Sequence, residues 1–153
     1  MNSDYFITEH IPVADHVYKF LLKRCGGSTY IANRNDIIGN IVLSSLGRNS
    51  DIQLSKTNYV KIFNVVIKET AYLRNGIYLG VKSGQVFNKM VDKLFRDEMF
   101  FHVFINSIKS KEQFLDGLRK YLELYDITED DIKLESIYKD FKRKKEELKG
   151  LIS

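Results

Sequence analysis

The residues best suited to chemistry in this chain lie between Arg48 and Lys68. Set on a helix at about 100° per residue, Thr57, Lys61, Asn64 and Lys68 fall within a sector of about 60°, with Asn58 near its edge. That sector holds no acid. Lysine and threonine suit phosphate oxygens, and asparagine can pair bidentately with adenine, so the spacing describes a face for the major groove of double-stranded DNA. Val65, close to the same sector, suits a thymine methyl or simple packing. Lys142-Arg143-Lys144-Lys145 is the densest basic run, although Asp140, Glu146 and Glu147 flank it and would partly pair with it on a helix. An ordinary solvated helix face explains both groups and is the simpler reading of each.

Other chemistries are less well supplied. His10 and His16, six apart, would diverge by about 120° on a helix, and neither stands at metal-ligand spacing from a carboxylate. Cys25 has only Lys23 and Arg24 as sequence neighbours that would favour a thiolate, and reads as a partly buried residue at a helix end. Gly26-Gly27-Ser28-Thr29 lacks the Lys-Ser/Thr of a phosphate loop and follows a helix instead of a strand. Asp126, Thr128 and Asp130 imitate the start of a calcium loop, but Asp131 stands where glycine makes the turn and Ile137 where glutamate closes the site. No nucleophile, base and stabiliser share a recognisable spacing, so the expectation is a non-catalytic protein without cofactor or metal.

The elements that must position these residues are separated by glycines and capping residues, since Pro12 is the only proline. Pro12 suits the first turn of a helix over 12–25, whose stripe of Val13, Val17, Phe20 and Leu21 stops at Gly26-Gly27. A short strand over Tyr30 to Ala32 precedes a helix capped by Asn35 and running to Gly47. The stretch from Thr57 to Leu73 is torn between the strand propensity of Val60, Ile62, Val65, Val66 and Ile67 and a helical face of Tyr59, Phe63, Val66 and Ile67. The periodicity predicts a helix. A strand over Ile77 to Val81 follows, then one long helix or two short ones over 83–108 with a break at Asp97-Glu98. Ser110 with Gln113 predicts the cap of a helix striped by Phe114, Leu118, Tyr121, Leu122 and Tyr125. Thr128 with Asp131 predicts the cap of a last, charged helix lined by Leu134, Ile137, Tyr138, Phe141 and Leu148.

The fold class is therefore mainly α with a minor β component. Residues 12–81 match a winged-helix-like order, in which Arg48 lies on the turn of a helix-turn-helix with a longer connection than usual, and 83–150 form a helical extension. At 153 residues, 44% hydrophobic and 29% charged, the chain suits one compact domain over 1–153. A single cysteine and no signal-peptide pattern point to a reducing, cytoplasmic or otherwise intracellular setting. Apolar runs such as Met99 to Ile105 fall far short of the ~20 residues of a membrane span. The net charge of +4 fits nucleic acid without requiring it. Together these features lead to a nucleic-acid-binding accessory or regulatory protein. Abundant Lys, Asn, Ile and Tyr suit an AT-rich phage or mobile-element genome. The alternative is a protein-interaction adaptor that uses its C-terminal amphipathic helices, with weak or no self-association.

Overall fold

The computed structural model describes residues 5–47, 58–76, 78–111 and 113–152. They are mainly helical with a small three-stranded sheet. In chain order the elements are β1 (Phe6–Val13), α1 (Asp15–Cys25), β2 (Thr29–Ile31), α2 (Ile37–Ser45), β3 (Lys61–Lys68), α3 (Glu69–Asn75), α4 (Val81–Ser110), α5 (Phe114–Leu124) and α6 (Leu134–Ile152). The chain divides into two compact units, 1–92 and 93–153, with the division inside α4.

In the first unit β3 is the central strand, antiparallel to β1 and parallel to β2. This corrects the helix expected over 57–73, and with it the second helix of the winged-helix-like order. The local helical period loses because β-branched Ile62, Val65, Val66 and Ile67 sit well on a pleated surface, and because alternation buries Phe63, Val65 and Ile67 completely. Pro12 is likewise not the first turn of a helix. It lies in β1, an edge strand, where a missing donor leaves no ladder bond unmade on the open side. Helix α1 begins three residues later, with Asp15 in its first turn, Lys23 and Arg24 in its last, and Gly26 as a left-handed stop at φ 77°.

Asp36, one residue beyond the expected Asn35, caps α2: its carboxylate accepts from the Ile38 amide and also from the Tyr30 hydroxyl at 2.7 Å. The core of this unit is made of Ile11 and Val13 from β1, Val17, Phe20 and Leu21 from α1, Ile38, Ile41 and Val42 from α2, the inward side of β3, and Phe87 and Val91 from α4. Asn88, almost fully buried, accepts from the Ala14 amide at 2.8 Å and donates to the Tyr59 hydroxyl at 3.3 Å. His16 and Asp92 meet at 2.6 Å, tying α1 to α4.

In the second unit α4 runs through Asp97-Glu98 without a break. Ser110 ends α4 and its hydroxyl donates back to the Asn106 carbonyl, so Gln113 takes the cap position of α5 without a side-chain bond. The Thr128 amide and hydroxyl both donate to Asp131 Oδ2, a local turn ahead of α6 instead of its cap. Leu118 of α5 and Ile137 and Phe141 of α6 are buried, the Phe141 ring lying 5.0 Å from Phe100 and 4.8 Å from Phe114.

Candidate nucleic-acid interface

Strand alternation sorts the sheet into two faces. One packs inward. The register places Phe6, Thr8, His10 and Pro12 of β1 opposite Lys68, Val66, Asn64 and Ile62 of β3, with Thr29 and Ile31 of β2 beside Asn64 and Val66, all on the other face. Most of that face meets solvent: Thr8, His10, Thr29 and Lys68 are exposed, and Phe6 and Ile31 each keep about half of their surface accessible, 50% and 51%. It presents an aromatic ring, an imidazole, hydroxyls, an amide and an ammonium, and no acid. His10 Nδ1 donates to Asn64 Oδ1 over 2.6 Å, which orients the amide so that its NH2 stays available.

Glu9, the one acid of β1, points the other way, opposite Val65. Partial burial pushes its carboxyl above the ordinary range, and the adjacent His10 pulls only part of the way back.

At the Lys68 end of β3 lies a cavity of about 310 Å³ lined by Ala32, Arg34, Leu43, Lys68, Thr70, Ala71 and Arg74, so that Lys68 belongs to both the face and the cavity. Three cations from three elements meet there: Arg34 in the turn after β2, Lys68 at the end of β3 and Arg74 in the last turn of α3. Among the described residues, no carboxylate lines the cavity.

The residues expected to act together are only partly brought together. Asn64 and Lys68 share the exposed sheet face, whereas Lys61, of odd register, belongs to the inward side at its outer end, its ammonium 5.7 Å from the Tyr18 ring. Asn58 is exposed ahead of β3, and Arg48 and Thr57 lie outside the described residues. The basic run in the second unit is occupied locally. Arg143 pairs with Asp140 at 2.6 Å and Glu147 at 3.7 Å, and Lys144 pairs with Asp97 at 2.6 Å. Lys142 and Lys145 sit 4.4 and 4.2 Å from the Tyr138 and Phe114 rings. Partial burial raises the Asp97 carboxyl, but hydrogen bonds and charge from Lys144 and Lys93 outweigh that and hold it below the ordinary range.

Phe6, Thr8, His10, Thr29, Arg34 and Arg74 were not singled out by sequence as parts of a ligand surface. Alternation in Lys61-Ile62-Phe63-Asn64-Val65-Val66-Ile67-Lys68 is the signal that would have placed Asn64 and Lys68 on a sheet. Nothing local joins Arg34 to Arg74, which meet only through the tertiary fold. Among the described residues, no group of three or more His, Cys, Asp and Glu is placed to hold a metal ion, and no helix is long and apolar enough to cross a membrane. No protein-family model matches the chain, and no curated protein or solved structure matches it.

Proposed function

We propose that this is a non-catalytic nucleic-acid-binding accessory protein that takes a single strand on the exposed face of its sheet. The observation that carries the reading is an exposed sheet face without an acid that shares Lys68 with a cavity in which three cations meet. A broad sheet face does not enter a major groove as a helix does. It suits unpaired bases, which lie flat on rings such as Phe6 and His10 and offer their edges to Asn64, Thr8 and Thr29 while cations hold the backbone. Such a ligand places the protein in an intracellular compartment, where its lone thiol is at home.

Titration of a labelled single-stranded oligonucleotide at several salt concentrations tests this. Phe6→Ala is expected to cost about 1 to 3 kcal/mol if a base stacks on the ring. Lys68→Ala should lower the salt slope by about 0.7 for one lost phosphate contact. No binding by the unaltered protein at low salt, or tighter binding of duplex than of single strand, would remove the proposal.

A second reading, the interaction adaptor, is supported by Phe101, Ile105 and Ile108 of α4, which recur at helical spacing and are all exposed. It differs from the sequence expectation in its helix, because Ile137 and Phe141 of α6 are buried in their own unit. Light scattering separates the two readings. Concentration-dependent association that Phe101→Ser abolishes would favour the adaptor.

A further inference from the structure

We propose that the cavity bounded by Arg34, Lys68, Thr70 and Arg74 holds a phosphomonoester, the terminal phosphate of the bound strand; the strand rests on the sheet reading above, the anion site does not. Elsewhere the cations of this protein are commonly neutralised by neighbours, as in Lys93 with Asp97, Lys139 with Glu135, and Arg143 with Asp140. Among the described residues Arg34, Lys68 and Arg74 have no such ion pair. Gathering three like charges around one open space raises the energy of the protein unless an anion occupies it.

The neighbours favour that occupant. Asn75 Nδ2 donates to the Ala71 carbonyl at 2.8 Å, which turns Asn75 Oδ1 toward Arg34, whose Nη2 donates to it over a long 3.5 Å. One edge of the Arg34 guanidinium is steadied and the rest of its fork stays available for oxygen. The side chains of Leu43 and Ala71 are apolar, and Thr70 brings a hydroxyl able to donate. A volume of about 310 Å³ admits a phosphate and part of its sugar and lies at the small end of ligand sites.

Charge decides between the two phosphate types. A phosphodiester carries one negative charge, whereas a monoester carries about 1.5 to 2 at neutral pH and has three terminal oxygens. Three cations match the second better. Lys68 belongs both to the cavity and to the exposed sheet face, so a strand anchored by its end would continue over Asn64 and His10.

The test has two arms. In the first, inorganic phosphate is titrated at pH 8 against chloride at constant ionic strength while the backbone amides are followed by NMR. Shifts grouped at residues 32–34 and 68–74 are expected, and a response no different from that to chloride would overturn the site. In the second, one oligonucleotide is compared with a 5′-phosphate, a 3′-phosphate and neither. A phosphorylated end should bind about tenfold tighter. Arg34→Gln and Arg74→Gln, both at exposed positions, should erase that preference by weakening the phosphorylated strand more than the unphosphorylated one. Arg119→Gln, in the second unit, should change neither. A preference that persists in both cavity variants, or an unphosphorylated strand that binds equally well, overturns the cavity proposal alone. Grouped shifts with inorganic phosphate but no binding of any oligonucleotide sustain the anion site and overturn the sheet reading.

Discussion

Asn64 shows how far the meaning of a side chain depends on the backbone period beneath it. On a helix it would stand between Lys61 and Lys68 on one face; on β3 it keeps Lys68 as a face-mate and loses Lys61. Cys25 offers a residue-scale prediction. Burial, followed by the nearby Asp36 charge, pushes its thiol up to about 11 from 9.0, with Arg24 opposing. Two units leave about a hundredth of the usual thiolate, and the greater nucleophilicity of a more basic thiolate restores about tenfold. Iodoacetamide at pH 8 should therefore alkylate Cys25 about tenfold more slowly than an unperturbed thiol, and an equal rate would show that the burial is wrong. Glu9 gives the pH dependence. Its carboxyl is raised in the folded state, so it favours folding least where it is charged: stability falls as pH rises from the unfolded value near 4.3 through the higher folded one. Glu9→Gln should remove that component from the pH dependence of urea unfolding, and an unchanged profile would assign it to another group.

At the scale of elements, the helices with strong apolar stripes were legible and the sheet was only half so. α5 reads directly from Phe114, Leu118, Tyr121 and Leu122, because a 3.6-residue period that buries one side has no competing solution. β3 did not, because its eight residues satisfy both periods, and the choice belongs to β1 and β2, which flank it in space and not in sequence. Pro12 misled for a related reason: helix starts and edge strands both tolerate a missing amide donor. Two variants test the packing. Leu118→Ala, at a fully buried site, should cost about 2 to 5 kcal/mol in urea unfolding, whereas a loss below about 0.5 would mean that the stripe faces solvent. Gly39→Ala places a Cβ 1.9 Å from the Asn33 carbonyl oxygen, a backbone atom that cannot swing aside. It should destabilise more than Gly150→Ala, where a Cβ meets nothing within 4 Å. Equal stability of the two would mean that α2 and the Asn33 turn are not in close contact.

Across the whole molecule, the excess of positive charge matters less than where it lies unopposed. The densest run, 142–145, is bound up with Asp97, Asp140, Glu147 and two aromatic rings inside its own unit. Arg34, Lys68 and Arg74, scattered through the sequence, converge on a cavity that no acid among the described residues lines. Sequence density marks the first group and passes over the second, since convergence is a property of topology. The candidate surface was thus legible at Asn64 and Lys68 and illegible at its two arginines. The most direct measurement is an amide NMR titration of the intact protein with a 5′-phosphorylated single-stranded oligonucleotide at low salt. Shifts should cluster on Phe6, Thr8, His10, Thr29, Asn64 and Lys68 and extend to Arg34 and Arg74, while 142–145 stay still. A response confined to 142–145, or no response at concentrations where nonspecific attraction alone should register, would contradict the assignment of the exposed sheet face to nucleic acid.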